Sequence, residues 1–201
     1  MNEWADATIR RICALAPRRL LEVGAGTGIL AFRLLPGLDA YTGCDISDQA
    51  IKHLQQRLLC ADTSLQSRAI FARAAAHELH MVPGEKWDTV VMNSTCQYFP
   101  SEDYLADVLD AMMARVSSCG TLFVGDVRDF RLLSAFHAAV ARARSTVMAT
   151  ASDVRELMWE SMGREMELLV SPHFFETWAH RHSRVTQVLV MPKLTYCANE
   201  M

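Results

Sequence analysis

Short apolar runs alternate with amphipathic stretches along the first two thirds of the chain. Runs of this kind are typical of strands buried on both faces of a parallel sheet, whereas apolar residues at helical spacing predict helices. The runs predict five strands, at residues 18–23, 40–44, 68–73, 87–92 and 121–127. The stretches between them predict helices at residues 2–15, 27–35, 47–60 and 101–116.

The pattern changes after the fifth predicted strand. Three helical stretches follow, at about 130–145, 151–168 and 172–181, and then a last predicted strand, Arg184 to Val190. Strand–helix alternation with short connections implies a doubly wound α/β fold with a parallel sheet. We therefore expect a single domain over residues 1–201, with a core of 1–128 and 184–201 and a helical cap over about 129–183.

Composition narrows the class of protein. The 201 residues are 51% hydrophobic and 21% charged, and 20 Lys and Arg face 23 Asp and Glu. With a net charge of −3 there is no basic excess to neutralise a phosphate backbone, so nucleic acid is not an expected partner. No apolar run approaches the ~20 residues of a membrane span, and the first residues lack the apolar region of a signal peptide. We expect a cytoplasmic protein that does not bind membranes.

Metal ligands at recognisable spacing are lacking in the sequence. The six cysteines form no Cys-x-x-Cys pair, and His173, His180 and His182 make no metal spacing with a nearby acid pair. Cys-x-x-Cys pairs are the usual signature of zinc ribbons and thioredoxin-like sites. The sequence therefore predicts no metal.

A glycine-rich stretch, LEVGAGTG, places Gly24, Gly26 and Gly28 directly after the first predicted strand and at the start of a predicted helix. Glycine lets the backbone approach a ligand closely, and a helix N-terminus attracts negative charge. A dinucleotide fingerprint would need glycine at position 29, which is Ile29. The spacing thus disfavours a nicotinamide-dependent oxidoreductase.

Asp45 follows the second predicted strand, 21 residues beyond Gly24. An acidic side chain at this place can accept hydrogen bonds from ribose hydroxyls. A lone Asp there is otherwise a turn or helix-capping residue. Together, the loop and Asp45 indicate a cofactor that contains a nucleoside, and they leave the substrate open.

The pattern Glu22-x-Gly-x-Gly-x-Gly resembles motif I of S-adenosylmethionine-dependent methyltransferases. The resemblance implies a Rossmann-like methyltransferase sheet and S-adenosylmethionine as cofactor. Many of these enzymes place an Asp against adenine where Ala76 and its two preceding alanines lie, so we expect adenine to meet backbone groups and apolar contacts, with His77 nearby. The candidate cofactor-binding residues are Glu22, Gly24, Ala25, Gly26, Gly28, Asp45, Ile46, Ala76 and Asn93.

Five further motifs closely resemble the methyltransferase domains embedded in nonribosomal peptide synthetases. They span nearly the whole chain: Glu-Trp-x-Asp-Ala-Thr at 3–8, Asn-Ser-x-x-Gln-Tyr-Phe-Pro at 93–100, Gly-Asp-Val-Arg at 125–128, Ala-Phe-His at 135–137 and Pro-x-Phe-Phe at 172–175. In that family the usual reaction is N-methylation of an aminoacyl group held as a thioester on a carrier protein. The resemblance implies an aminoacyl-loaded carrier protein and neighbouring synthetase domains as partners.

The family normally has a segment ahead of residue 1 and continues past the match at Asn199–Glu200 into a final strand. We therefore expect the chain to be a fragment of a larger multidomain protein. Glu200 is also a candidate partner for an ammonium group, with fraying of the chain end as the alternative.

The candidate catalytic residues implied by this resemblance are Asn93, Gln97, Tyr98, Asp126 and His137. Asn93 would orient substrate or cofactor near the methyl group, Gln97 and Tyr98 would hold the aminoacyl group, and Asp126 would attract the amine. Arg128 would fix the loop next to Asp126. Each of these polar residues alone also fits a loop hydrogen bond or a helix cap, and a lone His on an apolar helix is more often packed than catalytic.

Two alternatives keep the fold and change the activity. C-methylation or epimerisation removes a proton from carbon and so needs a base such as His137 or Tyr98. The loop after the fourth strand has no His or Glu, which favours nitrogen as the nucleophile. A non-catalytic spacer domain would be indicated by an eroded glycine loop, but Gly24, Gly26 and Gly28 are all present.

Overall fold

The computed structural model describes residues 2–146 and 148–193. Five strands form one parallel sheet in the order β3-β2-β1-β4-β5. Their bounds are β1 Arg19–Val23, β2 Ala40–Asp45, β3 Ala69–Arg73, β4 Trp87–Asn93 and β5 Val116–Gly125. The strand order and the parallel pairing confirm the predicted doubly wound α/β fold.

The described residues contain eight α-helices, which precede, connect or follow the strands. They are α1 Asn2–Ala14, α2 Ala31–Leu34, α3 Asp48–Leu59, α4 Thr63–Gln66, α5 Glu102–Arg115, α6 Leu133–Arg144, α7 Ala151–Gly163 and α8 Pro172–His180. None of the helices in the described part of the chain is both long and apolar enough to cross a membrane.

Apolar side chains on both faces of the central strands hold the sheet. In β4, Val90, Val91 and Met92 are all 0% exposed, although successive side chains point to opposite faces. Leu20 and Leu21 of β1 are equally buried. Complete burial on both faces explains why these strands were visible as continuous apolar runs.

Two predicted elements depart most from the structure, and two others shift at one end: β5 begins at Val116 instead of 121, and α7 ends at Gly163 instead of 168. The helix predicted at 27–35 is limited to Ala31–Leu34, because residues 27–30 form turns after the glycine loop and Pro36 lies in a single 3₁₀ turn. The predicted strand Arg184–Val190 is not a strand, since β5 pairs with β4 alone and offers this segment no ladder in the described residues. An alternating pattern supplies strand propensity, but a strand also needs a hydrogen-bonding neighbour.

The described chain divides into two compact units. The sheet unit comprises residues 2–96, 103–126 and 191–193, and it contains all five strands. The helical unit comprises residues 97–102 and 127–190 and contains α6, α7 and α8. The predicted boundaries between core and cap remain a prediction, and Asn199–Glu200 lies outside the described residues.

Candidate active site

The carboxyl ends of β1 and β4 are neighbours in the sheet, at the point where the strand order reverses. Val23 of β1 lies beside Met92 of β4, so the segments that leave these two strands run next to each other. Ligands of doubly wound folds bind in the crevice at this place. The glycine loop leaves β1 here, and Asn93 ends β4.

The three glycines of the loop all have positive φ angles, of 77° at Gly24, 51° at Gly26 and 78° at Gly28. A Cβ at Gly24 would lie 2.3 Å from Thr95 Oγ1, and one at Gly28 would lie 2.5 Å from Leu54 Cδ2. At Gly26 nothing lies within 4 Å of that position. Gly24 and Gly28 are thus required by packing, whereas Gly26 leaves open space in front of the backbone.

Ala25 shapes the loop from inside. Its side chain is 4% exposed within the apolar core, and its N–H donates to the Cys44 carbonyl at 2.9 Å. Its carbonyl accepts from the Gly28 N–H, also at 2.9 Å. These contacts assign Ala25 a structural role in the loop, and its predicted cofactor contact stays a prediction.

Asp45 joins the glycine loop to the end of β2. One carboxylate oxygen accepts from the Gly26 N–H and the other from the Ser47 N–H, each at 2.8 Å. A carboxylate has about four acceptor positions, so each oxygen can still accept a hydroxyl. Ile46 follows with its apolar side chain 69% exposed. A carboxylate beside an exposed apolar side chain suits a nucleoside, because the carboxylate can accept from the ribose hydroxyls and the apolar side chain can contact the base.

The alanine stretch after β3 lies against the same strand end. The Ala74 N–H donates to the Asp45 carbonyl at 3.1 Å. Ala76 is half-buried, and the ring of the exposed His77 is hydrogen-bonded through Nδ1 to Tyr104 Oη at 2.7 Å. This geometry places Ala74 beside Asp45, and the contact of Ala76 with adenine stays a prediction.

Glu22 lies inside the sheet and is 4% exposed. Its carboxyl group accepts a hydrogen bond from the Tyr41 hydroxyl. Burial raises the pKa of Glu22 to about 7, against the opposing effect of that hydrogen bond. The contact of the side chain is therefore with the core of the protein, and a contact with cofactor stays a prediction.

The ends of β4 and β5 carry backbone strain. Ser94 has a φ of 53° and Asp126 a φ of 60°, in the left-handed region that disfavours side chains. The Ser94 N–H donates to the Gly125 carbonyl at 3.1 Å, and Ser94 Oγ donates to Asp126 Oδ2 at 2.6 Å. Strain that the surrounding structure maintains is concentrated at functional sites in proteins.

Asn93 is 7% exposed at this strained end. Its Nδ2 donates to Ser94 Oγ at 3.0 Å, while its buried Oδ1 has no hydrogen-bond partner among the described residues. A Cβ at Gly125 would lie 2.2 Å from that oxygen, so only glycine makes room for the amide. A buried acceptor without a donor is costly, and it suits a donor supplied by a ligand.

Asp126 is bound from three sides. Ser94 Oγ and the Trp4 indole N–H, at 3.2 Å, donate to one carboxylate oxygen, and the Lys193 ammonium donates to the other. Burial alone would raise the pKa of Asp126, but the bonds from Lys193 and Ser94 outweigh it and hold this pKa below its usual value. Asp126 is therefore held in its ionised form and is a poor proton acceptor.

The other candidate catalytic residues lie in the helical unit. Gln97 has a buried Oε1 without a partner in the described chain, and Tyr98 is 74% exposed. His137 is 5% exposed, with Nδ1 2.8 Å from Ser161 Oγ and Nε2 3.3 Å from Glu165 Oε2. Both ring nitrogens are engaged, so these contacts describe a packed histidine, and its catalytic role stays a prediction.

Sequence reasoning missed two residues of this site. Trp4 belongs to a recognised motif but was not expected at the site, and Lys193 carries no signal in the sequence at all. They reach Asp126 across 122 and 67 positions of the chain. Only the family motif around Trp4 could have suggested its involvement.

The comparisons with known proteins agree with this geometry. Residues 21–122 match the family model of a methyltransferase domain, which spans β1 to β5 and includes the glycine loop. The chain belongs to the methyltransferase-domain family. The methyltransferase domain and the Rossmann-like fold expected from motif I are therefore confirmed.

Relatives match this methyltransferase domain over its full length. It is 35% identical over 201 residues to chondramide synthase of Chondromyces crocatus. It is 36% identical over 203 residues to the beauvericin nonribosomal cyclodepsipeptide synthetase of Beauveria bassiana. Each match covers 100% of the chain but only 5% and 6% of the respective relative.

Solved structures support the fold. The glycopeptide N-methyltransferase MtfA complexed with S-adenosyl-L-methionine superposes with a TM-score of 0.54 at 18% identity. The superposition covers 65% of the methyltransferase domain and 57% of MtfA. Within the described residues, no group of three or more His, Cys, Asp or Glu is placed to hold a metal ion.

Proposed function

We propose that the chain transfers a methyl group from S-adenosylmethionine to the amino nitrogen of an aminoacyl thioester held on a carrier protein. The observation that carries the proposal is the set of polar groups at the carboxyl edge of the sheet. The end of β2 with the glycine loop offers a nucleoside site, and the ends of β4 and β5 offer an anion and an unpartnered acceptor. Synthetases that match the whole chain supply the context of carrier-bound substrates and neighbouring domains.

The residues present fit the cofactor. Gly26 leaves open space at the backbone, Asp45 keeps acceptor capacity on both oxygens, and Ile46 exposes an apolar surface. These three would hold the hydroxyls and the base of the nucleoside. When bound, S-adenosylmethionine supplies an electrophilic methyl group, whose bond to sulfur breaks with the electron pair remaining on sulfur.

The chemistry of an amine substrate requires orientation more than a base. An α-amino group has a pKa of about 7.7–8.0, so roughly one molecule in ten is neutral at pH 7. Complete deprotonation by a base would gain only about tenfold, or ~1.4 kcal/mol. Orientation of the reacting groups can contribute about 7–11 kcal/mol. The site therefore needs groups that position the nitrogen.

Asn93 and Asp126 have the properties that such positioning requires. The unpartnered Asn93 Oδ1 can accept a hydrogen bond from the amine N–H, which directs the nitrogen lone pair away from the amide. The Asp126 carboxylate attracts the amine in its charged form. The ammonium first releases a proton to water, and the neutral amine then takes the methyl group. The methylated ammonium afterwards releases a second proton to water.

Carbon methylation and epimerisation receive less support from the side chains. Both reactions need a base at the α-carbon, and both ring nitrogens of His137 are already engaged with Ser161 and Glu165. Asp126 is unsuited as a base because of its low pKa. Nitrogen remains the nucleophile that these residues favour.

The reaction is tested by mass spectrometry of a carrier protein loaded with an aminoacyl group and incubated with the chain and S-adenosylmethionine. We expect the aminoacyl group to gain the mass of one CH₂, located on nitrogen by fragmentation. A methyl group on the α-carbon, or exchange of the α-hydrogen for deuterium without added mass, would overturn the proposal. Binding of S-adenosylmethionine without either change would indicate a spacer domain.

Cofactor binding is tested by calorimetry on Asp45→Asn. The amide keeps one acceptor oxygen but loses the charge and part of the capacity for ribose hydroxyls, so we expect the Kd for S-adenosylmethionine to rise about tenfold. Asp62→Asn is the matched control, because Asp62 is exposed and its side chain does not cap α4. An unchanged Kd in a folded Asp45→Asn variant would mean that the ribose contact is misassigned.

A further inference from the structure

The Lys193 ammonium lies between a carboxylate and an aromatic ring. Its Nζ donates to Asp126 Oδ1 and lies 4.8 Å from the centre of the Trp4 ring. The Trp4 indole N–H donates to the other Asp126 oxygen, at 3.2 Å, so the same carboxylate fixes the orientation of the ring. Asp126 therefore presents a negative charge, and Trp4 a π-face, to the Lys193 ammonium.

This arrangement is chemically a site for an ammonium group. A carboxylate and the face of a Trp ring both attract ammonium, and Trp is the aromatic residue that does so most strongly. The side chains of Lys193 and Asp126 are 28% and 29% exposed, so solvent reaches the pair. An incoming ammonium can therefore exchange with the one that Lys193 supplies.

We propose that Trp4 and Asp126 form the binding site for the protonated amino group of the substrate, and that Lys193 occupies this site when substrate is absent. The inference rests on the proposed function and adds Trp4 and Lys193 to its amine site. An aminoacyl thioester carries a free ammonium, whereas the nitrogen of a peptidyl thioester is a neutral amide. The site thus fits the aminoacyl substrate of the proposed function and offers nothing to the amide nitrogen of a peptidyl one.

The site is connected to the positioning residue of the reaction. Asp126 Oδ2 accepts from Ser94 Oγ, which in turn accepts from Asn93 Nδ2. The unpartnered Asn93 Oδ1 belongs to the same amide. An ammonium held at Asp126 is therefore delivered beside the acceptor that would bind the amine once it has lost its proton.

The competition by Lys193 has a measurable consequence. A tethered competitor acts at an effective concentration in the millimolar range and lowers the apparent affinity for a free ligand. Removing it in Lys193→Met should tighten binding of a free ammonium about tenfold. Lys52→Met is the matched control, because Lys52 pairs with Asp48 at 2.6 Å on the exposed face of α3.

The experiment titrates L-alaninamide, which has an α-ammonium and no carboxylate, and follows the indole N–H signal of Trp4 by NMR. The loss of that signal in Trp4→Phe assigns it. We expect L-alaninamide to shift the signal and the neutral N-acetyl-L-alaninamide to leave it in place. We further expect tighter binding in Lys193→Met, unchanged binding in Lys52→Met, and about threefold weaker binding in Trp4→Leu, followed through another shifted signal.

Binding of L-alaninamide that is equal or weaker in Lys193→Met, or no shift in the folded wild type, would overturn the inference. Failure of the proposed function gives a different result. In that case L-alaninamide binds and competes with Lys193, but a loaded carrier protein acquires no methyl group. Methyl transfer without competition by Lys193 would instead support the proposed function and contradict the ammonium site at Trp4 and Asp126.

Discussion

Two polar clusters of this protein contain similar side chains and differ in how completely they are satisfied. The strand-end cluster of the sheet unit consists of Trp4, Asn93, Ser94, Asp126 and Lys193. The clamp cluster of the helical unit consists of Arg128, His137, Ser161, Glu165 and Glu167. Each combines a carboxylate, a cation, a hydroxyl and a nitrogen-bearing side chain, which is the composition expected of a catalytic site.

The clamp cluster is closed. Arg128 pairs with Glu165 and with Glu167, each at 2.7 Å, and His137 is bonded through both nitrogens. Burial alone would lower the pKa of Arg128, but its bonds to Glu167 and Glu165 raise it. Because these groups satisfy one another, we expect the cluster to hold the segment around Glu165.

The strand-end cluster is incomplete. Asn93 Oδ1 has no donor in the described residues, Ser94 and Asp126 have strained backbones, and solvent reaches the Asp126–Lys193 pair. Residue types alone do not distinguish the two clusters, so we expect the functional site at the strand-end cluster because of its unsatisfied groups and backbone strain. Substitutions in each cluster should therefore affect different properties.

The largest effect is expected from Asp126→Asn. The amide keeps the shape of the side chain but cannot attract an ammonium, so we expect kcat/KM for methyl transfer to fall about 100-fold, or ~2.7 kcal/mol. The measurement is the rate with a loaded carrier protein at limiting substrate. A loss of less than threefold in kcat/KM in a folded variant would mean that Asp126 takes no part in the reaction. It would also weaken the distinction between the two clusters.

Arg128→Met should affect stability instead. It leaves Glu165 and Glu167 without their cation, and breaking a buried pair is strongly destabilising. Because the Arg128 side chain is 24% exposed, solvent reduces the cost, and we expect a loss of about 2 kcal/mol in the free energy of unfolding. Denaturant titration measures this loss, and the Kd for S-adenosylmethionine should stay within threefold.

Arg131→Met is the matched control for Arg128→Met. Arg131 pairs with Asp129 at 2.7 Å, but its side chain is 65% exposed. We expect its removal to leave the unfolding midpoint unchanged. Equal destabilisation by the two variants would mean that the clamp cluster stabilises the fold no more than an exposed ion pair does.

A buried pair outside both clusters, Glu22 with Tyr41, makes stability depend on pH. The pKa of Glu22 is about 7 in the folded chain and 4.5 for an ordinary Glu, so the folded state binds more protons between these values. Its contribution to stability is complete below about pH 4.5 and is lost as the pH rises towards 7, by at most about 1.4 kcal/mol per pH unit. Glu22→Gln should remove this dependence.

Denaturant titrations of wild type and Glu22→Gln between about pH 5 and 7 provide the measurement. The exposed Glu156→Gln on α7 controls for the loss of one carboxylate. Identical slopes in wild type and Glu22→Gln would show that Glu22 has an ordinary pKa in the folded chain.

The sequence predicted those parts of the molecule that depend on local pattern. The strands are visible because Val90, Val91 and Met92 are buried on both faces, and the glycine loop is visible because its turns require glycine. Contacts between residues that lie far apart in the sequence leave no local pattern that could predict them. The meeting of Lys193 with Asp126 was therefore not predictable, and the apolar run at 184–190 could not reveal that it lacks a ladder partner.

The smallest effect is expected from His137→Gln, and it separates the two clusters most directly. A glutamine side chain carries both a donor and an acceptor, so it can hydrogen-bond to Glu165 and to Ser161 in place of the two ring nitrogens, and the clamp loses little packing. We expect kcat within threefold of wild type and an unchanged pH profile. A general base contributes about 100- to 10,000-fold, and its loss changes the dependence of the rate on pH. A 100-fold loss of kcat with an altered profile in a stable variant would place His137 in the reaction, and the closed clamp would then be a site that opens to act.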